Sequence, residues 1–442
     1  MKGLILTYII SYSGMVAALR YPLIGLYVFV GLSVLRPQEI FMFAGDMPNL
    51  SLYVGAATFV GWVFRGFGTW GMGRARVVVW IFLSFVSLFV ISAFFALNTA
   101  VAFKSVGDFA KLVFPFLAGI TLIKGEKEWR PLLWTIVLCQ GYVGFEQNLN
   151  YVRGFNSASA GFGGMDNNFF GLSLVTTLGP AIALTLVSKR WWSRVVAAAA
   201  TALILHTTLL TFSRGAMLGL IAVGVVCFVM MPKRPKYLAA LLVLVLVAAR
   251  LTGPQLFARY GTAFASEEER DGSAESRIVL WMDCLKVIQK YPGLGVGPAN
   301  WRVIASSYGW PEGKSAHSVW METAAEVGIP GALALVMFFG SALVKLWPIA
   351  RQFETGENRY EAAAAASVVL AIVGFAVSGQ FVSAPGLEVP YFVTLVGIGL
   401  LKGKGSEQVA PTPQARNAAA KVTASPPMSF PPARPRPALF RR

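Results

Sequence analysis

Apolar segments of bilayer-spanning character recur from one end of this chain to the other, and they leave few folds open. Candidate spans fall at residues 3–18, 21–35, 50–64, 77–97, 108–123, 131–146, 169–187, 195–210, 215–231, 237–249, 330–346, 362–381 and 389–401. Inside hydrocarbon every backbone amide must be satisfied within the protein, so only helices or a closed barrel can cross. A barrel would show ten-residue stretches of alternating polarity, and none is present. Crossing as a helix takes about 20 predominantly apolar residues. Composition agrees, with 56% hydrophobic and only 13% charged residues. The expected fold is an all-α polytopic membrane protein of about twelve transmembrane helices. The ambiguity lies in the first thirty-five residues. Lys2 and the apolar run to Leu19 have the layout of a signal peptide. A second apolar segment follows Arg20 at once, which favours a retained first span or hairpin.

One long interruption divides the spans. Residues 251–318 carry Glu267, Glu268, Glu269, Arg270, Asp271, Glu275, Arg277 and His317. This suggests a transmembrane bundle over 1–250, a loop domain with short helices over 251–329, further transmembrane helices over 330–402 and a tail over 403–442. The tail is rich in Pro, Ala, Ser and Arg, a composition that buries no core, so disorder is expected there.

Charge sets the orientation. The net charge is +17. No basic stripe is interleaved with aromatics, so nucleic acid is not an expected partner. Membrane lipids with anionic headgroups are. Five short loops, at 65–76, 124–130, 189–194, 233–236 and 345–359, hold three Lys or Arg each. They fall on one side of the alternation, and the short loops between them hold one or none. The long polar block, counted with Arg250 at its edge, holds eight, which does not overturn the assignment because long loops translocate largely regardless of charge. By the positive-inside rule the basic side and the tail are cytoplasmic. The polar block then faces outward, into the periplasm of a Gram-negative cell.

That outer side collects Arg153, the run Asp166-Asn167-Asn168 after a glycine-rich stretch, Arg214 at a span mouth, Arg277 and His317. Arg277 opens an amphipathic segment ending at Pro292, with Ile278, Trp281, Leu285 and Ile288 on one apolar face. A guanidinium stays charged and matches phosphate oxygens with two parallel bonds. Several arginines around one external cavity would suit a phosphate or diphosphate. Singly, each also fits a side chain snorkelling to lipid headgroups. An imidazole suits proton transfer near neutral pH. Glu322 and Glu326 either orient His317 or serve as solvated or capping charges. His206 lies in an apolar span with no evident partner in the sequence, which suits a structural role. The run Gly293-Leu-Gly-Val-Gly-Pro follows a helix rather than a strand, so it reads as a turn and not a nucleotide loop. The acidic run at 267–271 reads as a solvated loop. Cys139, Cys227 and Cys284 have no metal spacing and read as small apolar fillers. No metal and no cofactor is expected.

Three segments together resemble the bacterial O-antigen ligase and polymerase superfamily. They are Ser213-Arg214-Gly215-Ala216, then Glu275-Ser-Arg277-Ile-Val-Leu-Trp281 with Tyr291-Pro-Gly-Leu-Gly-Val-Gly-Pro, then Ser315-Ala-His317-Ser318 with Glu326-Val-Gly-Ile-Pro-Gly331. The opening, from Ala18-Leu-Arg-Tyr-Pro to Arg36-Pro-Gln, is similar to a subgroup of O-glycosylation ligases. The resemblance implies a GT-C-type glycosyltransferase with a large periplasmic loop. Such enzymes take a glycan from an undecaprenyl diphosphate carrier. Ligases pass it to a sugar hydroxyl of lipid A-core, polymerases to another carrier-linked repeat, and protein-directed relatives to Ser or Thr. It implies catalysis by His317, Arg214 and Arg277. The family's loop commonly reads histidine-asparagine, and Ser318 departs from that.

The expected reaction is a metal-independent inverting displacement in lipopolysaccharide biosynthesis. Arg214 and Arg277 would stabilise the leaving diphosphate, and His317 would take the acceptor's proton. Arg153, Asp166, Asn167 and Asn168 would bind diphosphate or glycan. The alternative from another class is a lipid-linked glycan transporter, which would place its site near the bilayer midplane on interrupted helices.

Overall fold

The computed structural model describes residues 2–41, 47–230, 234, 235, 239, 250, 272–352, 358–383 and 386–407. The expected acidic run at 267–271, the tail from 408 and most of the span at 237–249 lie outside the described residues. In order, the helices are α1 (Lys2–Arg20), α2 (Pro22–Leu35), α3 (Pro37–Ile40), α4 (Leu50–Phe64), α5 (Arg76–Phe94), α6 (Thr99–Leu122), α7 (Glu126–Val152), α8 (Asn167–Val187), α9 (Trp191–Leu210), α10 (Arg214–Met230), α11 (Gly272–Lys290), α12 (Trp301–Ile304), α13 (Val319–Ala350), α14 (Arg359–Ser378) and α15 (Glu388–Glu407). Apart from short 3-10 turns, the described residues add one isolated antiparallel bridge, between Phe162 and Met165. Eight described segments are long and apolar enough to cross a membrane, and α4 and α10 are shorter apolar helices. The chain is thus an all-α polytopic membrane protein. α7 packs along α2 and α9, and α15 along α7 and α14.

Local sequence explains where the helices start. Asn98, Asp166 and Ser318 each turn a side-chain oxygen onto an otherwise unpaired backbone N–H, of Val101, Phe169 and Met321 respectively. The Asn98 cap begins α6 well ahead of the apolar run expected at 108–123. Backbone bonding carries the helix on through Lys104 and Asp108. The bundle centre is aromatic: Phe82, Phe116, Phe338, Phe339 and Tyr391 pack ring against ring from four helices.

The bundle has two distinct ends. At one, Thr69 and Thr121 pair, Arg130 stacks on Tyr360, and the Lys402 ammonium donates to the Ile120 carbonyl. The basic turns cluster at this end. At the other, Leu97 bonds to Val296, Asn98 to Asn300, Asn156 to Leu210, and Arg36 to both Gly163 and Glu388. The asymmetry of Lys and Arg along the sequence is therefore an asymmetry of the two ends.

The polar end is roofed by a small subdomain with its own core: Leu280, Cys284, Val287, Val296, Trp301, Ala305, Ala316 and Ala325. This core decides which face of the Arg277 helix is buried. α11 buries Leu280, Cys284 and Val287, and leaves Ile278 and Leu285 about half exposed. The helix is apolar over much of its circumference, so periodicity alone admits two stripes, and the subdomain core selects one.

α13 shows how the subdomain grips the bundle. Pro330 has no N–H and would clash with the Glu326 carbonyl in a regular helix. The helix breaks at Gly328, whose φ of 80° a side chain rarely adopts. The glycine turn at 293–297 fills the break. Val296 N–H donates to the Ala325 carbonyl, Gly297 N–H to the Glu326 carbonyl, and Ile329 N–H to the Pro292 carbonyl, at 3.0, 2.8 and 2.9 Å. Ser92 of α5 donates to Glu326 and Leu294 carbonyls from the other side. A Cβ on Gly295 would lie 2.4 Å from the Glu326 backbone. The turn reading of this run holds, and close backbone approach is the reason for Gly295 and Gly297.

Candidate functional site

The site is built where α8, α10, α11 and α13 meet at the polar end. The α9–α10 turn is drawn tight by Phe212, which sits at a φ of 53°. Ser213 Oγ accepts from Ala216 N–H at 3.2 Å and so starts α10 directly at Arg214. Asn168 Oδ1 takes the Ser213 hydroxyl at 2.8 Å, and Asn167 donates to the Thr211 carbonyl at 3.0 Å. These contacts fix the beginnings of α8 and α10 side by side. The side chains of Asn167 and Asn168, expected to hold substrate, are engaged in placing the Arg214 turn.

A second chain of contacts reaches from Arg214 to His317. Gly215 packs against Phe381, where a Cβ would come within 3.0 Å. The Phe381 ring lies 6.2 Å from the Trp281 ring. Trp281 sits one turn after Arg277 on α11, and its indole N–H donates to the Ala316 carbonyl at 3.0 Å. Ala316 precedes His317. Three segments far apart in sequence are thus linked by a chain of contacts, and Arg277 lies near enough to His317 to act on its charge.

His317 adopts a left-handed backbone at φ 51°, a conformation uncommon outside glycine. Ala316 and Ser318 on either side are fully buried, so the imidazole is turned out of the loop. Its Nε2 lies 3.5 Å from Ser315 Oγ, at the outer limit of a hydrogen bond. Burial first, then the cations Arg277 and Lys314, push its pKa down to about 4, with Asp166 opposing and Arg302 adding to the shift. These effects also show which charges surround the ring. At neutral pH the imidazole is uncharged and can accept a proton.

The site is suited to anions. Helices α8, α10 and α13 all begin here, and a helix N-terminus carries roughly half a positive charge. Arg214 and Arg277 are partly exposed and add two guanidinium groups. Asp166 is exposed as the α8 cap, with its carboxylate near enough to influence His317. Arg153 is exposed at the C-terminal end of α7, where its charge complements the helix dipole.

Glu322 and Glu326 are 3% and 4% exposed, so neither is a solvated charge. Glu322 Oε1 faces Arg302 at 3.8 Å, and Glu326 Oε1 accepts from Trp301 N–H at 3.2 Å. Glu322 also accepts from the Ala316 backbone, beside His317, whereas Glu326 holds the backbone at Ala299 and Trp301. Among the described residues neither carboxylate bonds to the imidazole ring. His206 gains a partner that the sequence did not reveal. Its Nδ1 meets Asn148 Oδ1, and Tyr151 packs edge-on against the ring. Trp281, Phe381, Arg302 and Lys314 are the site neighbours that sequence reasoning left without a role. Only Trp281 gave a signal, as an aromatic one helical turn from Arg277.

Among the described residues no group of three His, Cys, Asp or Glu could hold a metal ion. Residues 199–336 match a family model described as O-antigen ligase. The match contains Arg214, Arg277, His317, Glu322 and Glu326. No curated protein matches the chain.

Proposed function

We propose, from the match of residues 199–336 to a family model described as O-antigen ligase, that the chain is a member of the O-antigen ligase and polymerase superfamily and a membrane glycosyltransferase acting on an undecaprenyl diphosphate-linked glycan. The acceptor is a sugar hydroxyl of lipid A-core, the active site opens to the periplasm, and the protein resides in the bacterial inner membrane with a cytoplasmic tail. The fold is of the GT-C type.

The observation that carries this reading is the Trp281 bridge. It joins the Arg277 helix to the His317 loop and, through Phe381, to the Arg214 turn. Charge develops on the bridging oxygen as the anomeric carbon leaves its diphosphate. Arg214, Arg277 and the three helix N-termini act on that oxygen, and preorganised donors of this kind lower the barrier more than they tighten substrate binding. The neutral His317 takes the proton of the attacking hydroxyl. Attack by the hydroxyl itself inverts the anomeric centre. Retention would require a carboxylate nucleophile at the site. Asp166 is an exposed carboxylate that acts on the His317 ring, and its hydrogen bond to Phe169 N–H uses it as a cap.

Purified protein should transfer glycan from a synthetic polyprenyl diphosphate donor to lipid A-core. Transfer to a second carrier-linked repeat instead would make it a polymerase, and transfer to a Ser- or Thr-containing peptide a protein-directed enzyme. No transfer to any of the three, with the lipid-linked glycan moved intact between leaflets, would replace the enzyme reading with transport.

A further inference from the structure

We propose that a groove at the basic end of the bundle, between α7 and α9, binds an anionic glycerophospholipid from the adjacent leaflet. The groove has a volume of about 470 Å³ and is lined by Arg130, Trp134, Leu138, Lys189, Arg190, Trp192, Ser193 and Val196. Its residues are graded by depth. On α7, Arg130, Trp134 and Leu138 are spaced four apart, so they form one stripe descending about 12 Å. On the facing side, Lys189 and Arg190 in the α8–α9 turn are followed one turn into α9 by Trp192, Ser193 and Val196.

Three cations therefore stand at the mouth, two indoles lie just below, and two aliphatic side chains form the floor. A phospholipid has the same order of charge, polar ester linkage and acyl chain. Indoles favour that interfacial depth. Trp192, Leu138 and Val196 are each at least two-fifths exposed, as side chains facing lipid would be.

Of the three cations at the mouth, only Arg130 has an acidic partner among the described residues. Arg130 shares Glu126 at 3.4 Å and is held flat over Tyr360 at 4.1 Å. Lys189 and Arg190 are exposed and form no ion pair among the described residues. Arg190 lies 5.8 Å from the Trp192 ring, and Arg194 ties the turn by donating to the Ser188 carbonyl at 3.0 Å. The turn is fixed with two cations projecting from it. The proposal is independent of the transferase reading, because the groove lies at the end of the bundle opposite to His317.

Native mass spectrometry on the detergent-solubilised full chain tests it, with phosphatidylglycerol, phosphatidylcholine and glycerol 3-phosphate as probes. Wild type should retain phosphatidylglycerol in preference to phosphatidylcholine and should not retain glycerol 3-phosphate. A Lys189→Ala/Arg190→Ala variant should lose phosphatidylglycerol retention about tenfold or more. Leu138→Trp, which fills the floor, should lose it too. Lys124→Ala/Lys127→Ala, at the same end but outside the groove, should behave as wild type. Equal retention of the two lipids, retention of glycerol 3-phosphate, or equal losses in the two lysine-containing double variants would each overturn the proposal. So would unchanged retention in Leu138→Trp.

Discussion

The indole N–H of Trp281 donates to the carbonyl oxygen of Ala316 at 3.0 Å. This bond couples the helix carrying Arg277 to the loop carrying His317. Trp281→Phe keeps a ring against Phe381 but removes the donor together with part of the indole. Stability should fall by at least about 1 kcal/mol, the net worth of one hydrogen bond. Activity should fall further, because slight misplacement of a reacting group can cost about 100-fold. The expected result is a kcat reduced about tenfold or more with KM little changed, measured with the synthetic diphosphate donor. An equal loss in kcat/KM from KM alone would mean that the bridge serves binding only.

The surroundings of His317 predict a pH dependence with a definite sign. Its pKa is held at about 4 by burial, Arg277 and Lys314. In the free enzyme the ring stays neutral down to that value, so kcat/KM should lose its acid limb only near pH 4. A bound diphosphate brings negative charge beside Arg277 and offsets it. The acid limb of kcat should therefore lie at higher pH than that of kcat/KM. Arg277→Gln removes the cation and should move the free-enzyme limb upward as well. The effect on stability runs in the matching direction. Between the folded value near 4 and the ordinary value of 6.5, the unfolded chain binds more protons at this site. Stability should thus drop as pH falls through that window, and His317→Asn should flatten the slope of the thermal midpoint against pH.

Arg214 begins α10 where the Ser213 cap and the Asn168 bond leave its backbone little freedom. Arg214→Lys preserves charge and loses the two-pronged geometry. Its kcat should fall by about 100-fold or more, the scale of losing one preorganised donor to a developing oxyanion. Asn168→Ala should weaken the same step through the turn. Its loss should be partly restored by Asn168→Asp, which can still accept from Ser213. Wild-type turnover in Arg214→Lys would make Arg214 a lipid anchor.

Much of this architecture is legible along the chain, because bilayer spans are local. Helix starts are less so: the Asn98 and Ser318 caps begin α6 at Thr99 and α13 at Val319, ahead of the apolar runs expected from 108 and 330, because Lys104 and Asp108, and Glu322 and Glu326, interrupt the apolar signal there. Two long-range features were not readable. The partner of His206 is Asn148, in another helix, and no local pattern links them. The buried face of α11 depends on which of two apolar stripes meets the subdomain core, and only the fold decides for Leu280 over Ile278. The candidate site falls between these cases. Arg214, Arg277 and His317 stand out by residue type and by the side of the membrane expected for them. The contacts that link their segments run through Trp281, Phe381 and Gly215, which carry no charge to draw attention. Asn167 and Asn168 stand out as polar residues near the site, yet their hydrogen bonds go to the neighbouring turn.

The break in α13 yields the last prediction. Gly328 combines a φ of 80° with a ψ of 176°, a region that essentially only glycine occupies. An added Cβ would also lie 2.4 Å from the Gly293 carbonyl oxygen, in the turn that supports the subdomain. Gly328→Ala should therefore destabilise by about 3 kcal/mol or more, from backbone strain and the clash together. Gly340 on the same helix provides the control. Nothing lies within 4 Å of its Cβ position, so alanine there should be neutral or should stabilise by about 0.5–1 kcal/mol. Thermal unfolding of both variants in detergent measures the difference. The subdomain holds both Arg277 and the His317 loop, and a loosened turn at 293–297 frees it from α5 and α13. Transfer activity of Gly328→Ala should then decline at temperatures where the bundle itself is still helical by circular dichroism. If activity and helicity were instead lost together, the kink would be part of the bundle's global stability and not a separate mounting for the site.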